Sequence, residues 1–180
     1  DGWVQTMKNS MNFIAPHYTM RRMMDDYFDR FYTGLAARSA HLHANGNRIA
    51  RELVDWKRAV ASEWDSLRIV SVEDSGNSSN VSNERYTGTH ETIRLVLDKA
   101  SLSCDLEVEL VDAREEADGK LRLVAKTPLR LVEKEGTKEV YELAFTQSRP
   151  GLYKRAIRIV PTHPELPHRM DFALVRWVAL

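Results

Sequence analysis

Six histidines offer the first candidates for chemistry. His41 and His43 stand two apart on a predicted helix, roughly 200° around its axis, so a regular helix cannot turn both onto one ion. His163 and His168 frame Pro164-Glu165-Leu166-Pro167. That loop could bring two imidazoles together, but no Cys or carboxylate cluster completes a four-ligand set, and solvated loop histidines are the expectation. Cys104 lies between Ser103 and Asp105 without a signature of activation, and no Gly-x-Ser-x-Gly elbow is present. Glycines never fall closer than twelve residues apart, which excludes a dinucleotide fingerprint and a P-loop. Asp25-Asp26 and Glu115-Glu116 are paired carboxylates. Asp25, Asp26 and Asp29 lie beside Arg21, Arg22 and Arg30 at three- and four-residue spacing, so exposed ion pairs are expected rather than an acid/base pair, which needs two distinct environments. No catalytic, cofactor-binding or metal-binding residue is assigned.

Aromatic side chains on a sheet can stack on sugar rings, and Tyr86, Tyr141, Tyr153 and Trp177 are the candidates. Tyr141 shares strand parity with Leu143 and Phe145, and Tyr153 with Ile157 and Ile159, which reads as core. Trp177 shares parity with Ala173 and Val175, opposite Phe172 and Leu174. That strand is expected to be covered on both faces, with Trp56 or Trp64 supplying the cover.

These residues need elements to hold them, and the period of the apolar pattern changes along the chain. Trp3, Met7, Met11 and Ile14 form one helical stripe that Pro16 should end. Thr19 reads as the N-cap of a second helix bearing Met20, Met24, Tyr27, Phe28, Phe31 and Leu35. Asn45-Gly46-Asn47 is a break, after which Ile49, Leu53, Trp56, Val60 and Trp64 mark a third amphipathic helix. From Leu67 the period is two. Strands are read at 67–72, 92–98, 106–110, 120–126, 129–132, 139–145, 153–160 and 171–178, with Asp118-Gly119 and Glu135-Gly136 as hairpin signals. The expected fold is mainly β, an antiparallel immunoglobulin-like sandwich preceded by three amphipathic helices. Residues 74–83 read as a polar loop whose two glycosylation sequons, at Asn77 and Asn80, are expected to be chance matches.

With 180 residues the chain can bury a core without metal or disulfide help. Twenty-six basic residues balance 26 acidic ones, which argues against nucleic acid or an anionic membrane surface as partner. One cysteine makes no internal disulfide, so nothing demands an oxidising compartment and the cytoplasm is expected. Apolar runs fall far short of the roughly 20 residues that span a bilayer. Because the chain opens at Asp1 without an initiator Met or a leader, it is expected to be processed or cut from something longer.

The opening segment carries a more specific signal. Trp3 to Ser10, then Ile14-Ala15-Pro16-His17-Tyr18-Thr19, Arg22-Met23-Met24-Asp25-Asp26-Tyr27 and Phe31-Tyr32 together resemble the C-terminal end of the α-glucan phosphorylase catalytic region. Residues 33–180 resemble the extension of the bacterial branch, with Trp56-Lys57, Trp64, Arg158-Ile159-Val160-Pro161 and Asp171-Phe172 to Trp177 as landmarks. The resemblance implies three parts: 1–35 as terminal helices of the catalytic region, 36–66 as a connecting helix and 67–180 as the sandwich. It further implies a parent glycosyltransferase that phosphorolyses α-1,4-glucan to glucose 1-phosphate with pyridoxal phosphate bound on a lysine of a Gly-Asn-Met-Lys type motif. Gln5-Thr6 precedes Met7-Lys8 where that motif has Gly-Asn, so Lys8 is not the cofactor lysine.

The chain alone is therefore expected to be inert and to brace or oligomerise the catalytic domains of its own polypeptide. Five of the six methionines lie in its first 35 residues, together with Trp3 and a set of Phe and Tyr. Such an apolar surplus marks a partner surface, for the upstream domains or for a second copy. The alternative is a carbohydrate-binding sandwich that tethers the enzyme to glycogen, which requires an exposed aromatic platform.

Overall fold

The computed structural model describes residues 2–77, 87–148, 150–151 and 153–180. Tyr86 and most of the sequon-bearing loop lie outside the described residues. The chain divides into two compact units, Asp1–Val54 and Asp55–Leu180.

In the first unit, α1 (Gly2–Asn9) runs into a wider π turn at Ser10–Ile14 and a tight 3₁₀ turn at Ala15–Tyr18. Pro16 does not end the helix as expected. It occupies the opening positions of the 3₁₀ turn, where its missing N–H costs nothing, and the break falls instead at Thr19, whose backbone is extended. Thr19 is the N-cap expected: its Oγ1 accepts the Arg22 N–H at 3.2 Å and opens α2 (Met20–Tyr27). Another π turn, Phe28–Tyr32, leads into α3 (Thr33–Glu63). Helical dihedrals fail at Ala44–Asn47, where Asn45, Gly46 and Asn47 all take positive φ, so the predicted break is real. Asn and Gly are the residues that adopt this left-handed conformation at least cost.

The second unit begins within α3. Val60, Trp64 and Leu67 are buried there and belong to the same apolar cluster as the strands. Among the described residues eight strands follow: β1 (Arg68–Asp74), β2 (His90–Asp98), β3 (Asp105–Glu115), β4 (Leu121–Pro128), β5 (Arg130–Glu135), β6 (Lys138–Thr146), β7 (Lys154–Thr162) and β8 (Arg176–Ala179). They form two antiparallel four-stranded sheets, β1-β2-β6-β5 and β4-β3-β7-β8. Gly119 and Gly136 take positive φ in the β3–β4 and β5–β6 hairpin turns, as Asp-Gly and Glu-Gly had signalled. The inward row of each central strand is dry: Ile93, Leu95 and Leu97 on β2, Tyr141 on β6, Val108 and Leu110 on β3, Ile157 and Ile159 on β7. Each fully buried Leu or Ile in these rows contributes about 1.5–3 kcal/mol, and this core fixes the register of everything displayed outside it.

Three expectations are corrected. The last strand is not 171–178, because Arg169–Asp171 makes a 3₁₀ turn and pairing with β7 starts only at Arg176. Asp74 ends β1 and Ser75–Asn77 is a 3₁₀ turn rather than open loop. Tyr153 lies just before β7 and is half-buried, its hydroxyl donating to the Pro150 carbonyl and accepting from Arg114, where a core side chain had been expected.

Candidate functional site

The groups first considered for catalysis are occupied with structure. Nδ1 of His43 donates to the Ser39 carbonyl at 2.7 Å. Nδ1 of His163 accepts the Glu165 N–H and Nδ1 of His168 accepts the Met170 N–H, both at 3.1 Å, so each ring caps a turn in its own loop. Among the described residues no cluster of three or more His, Cys, Asp or Glu could hold a metal ion. Asp26 pairs with Arg22 and Arg30 on an exposed helix surface, while Glu115 pairs with Lys154 and Glu116 with Arg122. Cys104 is buried, and burial pushes its thiol up to about 11, away from the thiolate that a nucleophile needs.

The sandwich holds charge within its inward rows. Glu91 takes the same inward row as Ile93, Leu95 and Leu97, and its Oε2 meets Arg155 Nη1 of β7 at 2.6 Å. Arg155 also donates to Asp112 at 2.8 Å and to Gln147 at 2.7 Å, and its guanidinium lies 5.1 Å from the Phe145 ring centre. A carboxylate of one sheet and a guanidinium of the other thus join across the core. Near the opposite end of β2 and β6, Lys99 Nζ bonds Glu139 Oε1 at 3.1 Å and the Cys104 carbonyl, while Lys134 and the Tyr141 hydroxyl complete the carboxylate's partners. Burial would lift the Glu139 carboxyl, but these donors outweigh it and hold it below the usual range. An open cleft of about 470 Å³ lies beside this group, with Trp56, Ser103 and His163 among its walls.

A third cluster lies on the outward face of the second sheet. Glu109, Arg158 and Trp177 are register partners across β3, β7 and β8. Arg158 donates to Glu109 Oε2 through Nε at 3.0 Å and Nη2 at 2.5 Å. Arg169, from the segment joining β7 to β8, donates to Glu109 at 2.8 and 3.2 Å and to Glu107 at 3.0 Å. Burial alone would raise the Glu109 carboxyl. The two guanidinium groups reverse this and hold it at about 2. Trp177 stands over Arg158, with the guanidinium 5.8 Å from the ring centre, and is 50% exposed. The cover expected over it from the third helix is absent: Trp56 packs instead on Phe172 and His163, and Trp64 enters the core.

The first unit shows the surplus anticipated from its composition. Trp3, 74% exposed, leads a series including Met11, Phe13, Tyr18, Phe28 and Phe31, all open to solvent, and α1 and α2 bury no residue.

Residues 64–179 match the family described as glycogen phosphorylase C-terminal domain. The chain belongs to that family. Its similarity to named proteins extends into the helices. It is 27% identical to maltodextrin phosphorylase of Thermococcus litoralis over 185 aligned positions, covering 97% of the chain and 20% of that protein. It is 23% identical to glycogen phosphorylase of Mycobacterium tuberculosis over 175, covering 96% of the chain and 20% of that protein. The chain thus spans about a fifth of the length of these relatives.

All three charged clusters fall inside the matched glycogen phosphorylase C-terminal domain. Pyridoxal phosphate, which the resemblance implies for a longer parent, does not fit the residues described here. Among the described residues the one buried amine, Lys99, is committed to Glu139 and a backbone carbonyl, and Lys134 beside it shares the same carboxylate, so neither amine is set up to hold the cofactor aldehyde. Among the described residues no helix is long and apolar enough to cross a membrane.

Proposed function

We propose that this chain is the C-terminal accessory region of an α-glucan phosphorylase, inactive alone, whose N-terminal helices brace the catalytic domains of the same polypeptide. The observation that carries the reading is the bare apolar surface of residues 2–35 in a chain that spans a fifth of its relatives. Burying a large side chain contributes about 1.5–3 kcal/mol, so a row of exposed Trp, Phe and Met favours a partner surface over solvent. The parent's reaction is phosphorolysis of α-1,4-glucan to glucose 1-phosphate, its cofactor pyridoxal phosphate held elsewhere, and its location the cytoplasm.

The sandwich is of the immunoglobulin type in this reading. Lettering the strands A, B, C, C′, D, E, F and G in chain order turns the sheet orders into A-B-E-D and C′-C-F-G. Tyr153 supports it: just before the F strand, its hydroxyl donates to a carbonyl three residues upstream at 3.0 Å, as in a tyrosine corner. Two residues later Arg155 stands where antibody domains place the second cysteine of their inter-sheet bridge, and it pairs with Glu91 of the B strand.

Activity tests the assignment. The full-length protein that carries this chain should release glucose 1-phosphate from maltoheptaose and inorganic phosphate, while the 180-residue chain releases none. Phe28→Glu with Phe31→Glu should lower the melting temperature of the full-length protein and leave that of the isolated chain unchanged. Absence of glucose 1-phosphate from the full-length protein would refute the phosphorylase assignment, and equal melting would refute the brace.

A further inference from the structure

We infer that the Trp177–Arg158–Glu109 row is a surface site for a glucan chain, separate from the helical brace. The physical case starts with the ring. An indole face carries negative π density, and the axial C–H groups of a pyranose present a flat, weakly positive apolar face that stacks on it. Trp177 is half exposed, and its contact with the Arg158 guanidinium, 5.8 Å from the ring centre, holds the indole against the sheet. Arg158 is itself fixed by two bonds to a carboxylate that is only 3% exposed. A ring anchored in this way has little rotamer freedom left to lose on binding, which distinguishes it from a lone surface aromatic.

The polar surroundings define the ligand class. Glu107 and Glu109 balance Arg158 and Arg169, so the patch is a hydrogen-bonding array without net charge. Among the described residues, Nη1 of Arg158 and Oε2 of Glu107 take no part in its bonds, leaving a donor and an acceptor for hydroxyl groups. A neutral polyol fits this balance. A phosphorylated ligand or a nucleic acid would bring uncompensated negative charge to two carboxylates. That the sugar is an α-1,4-glucan, rather than another pyranose chain, rests on the phosphorylase reading.

The test uses the full chain labelled with 5-fluorotryptophan, whose four resonances report Trp3, Trp56, Trp64 and Trp177 separately, with Trp177→Phe assigning the last. Titration with maltoheptaose should move the Trp177 resonance saturably in the millimolar range and leave the other three in place. Trp177→Ala should weaken binding at least tenfold with an unchanged far-ultraviolet circular dichroism spectrum. No shift at 50 mM maltoheptaose, a shift confined to Trp3 or Trp56, or a larger response to AMP would overturn the site. Equal affinity for cellohexaose would overturn the α-glucan assignment. Glucose 1-phosphate release by the full-length protein does not depend on this patch, so activity without an indole shift would refute the platform alone.

Discussion

Glu109 ties the charge state of the outer sheet face to folding. Its carboxyl titrates near 2 in the fold against an ordinary value of 4.5, so the ion-paired form stabilises the sandwich fully above about pH 4.5, and that contribution is lost as the pH falls towards 2. The melting temperature should therefore drop through this window, and Glu109→Gln should flatten the drop. Glu91 is a different case, because its partner crosses the core. Glu91→Ala leaves the Arg155 charge buried beside fewer acceptors and should cost about 3–5 kcal/mol in urea unfolding. Cys104 should remain unreactive towards a disulfide reagent at pH 8 until denaturant is added, since its buried thiol titrates near 11. None of these clusters was legible as a site in the sequence. Glu91 could have been found by extending the inward row of β2 by one step of two, but alternation identifies the face a residue takes and not its ionic partner across the core.

At the scale of elements, sequence and structure meet wherever a period or a turn residue decides. The three apolar helical stripes, the Thr19 cap, the Asn45-Gly46-Asn47 break and the two glycine hairpin turns all have local causes, and all were readable. Gly46 has φ +65°, so Gly46→Ala should cost about 1–2 kcal/mol in the thermal unfolding of the helices. The start of β8 was not readable, because 171–178 alternates acceptably as a strand. Two features outside the period end it early: the His168 side chain caps the Arg169–Asp171 turn, and Arg169 is drawn to Glu107 and Glu109. Which tryptophan covers which surface was hidden for a similar reason. Trp56 is held by Phe172 and His163 from distant parts of the chain, which leaves Trp177 open.

Over the whole chain the two units differ in what they bury: the sandwich encloses an apolar core, and the helical unit leaves its large apolar side chains exposed. Strand-forming residues have what they need within 55–180, where a single cluster joins both sheets to the end of α3. The helices of 2–35 do not, since they bury no residue in α1 or α2. If they brace a catalytic domain, their amides should be protected only when that domain is present. Amide hydrogen exchange over residues 2–35, compared between the isolated chain and the full-length protein, tests this most directly. The bracing role requires exchange to slow by at least tenfold in the full-length protein while the amides of β2, β3, β6 and β7 stay unchanged. Equal exchange of residues 2–35 in both proteins would contradict it.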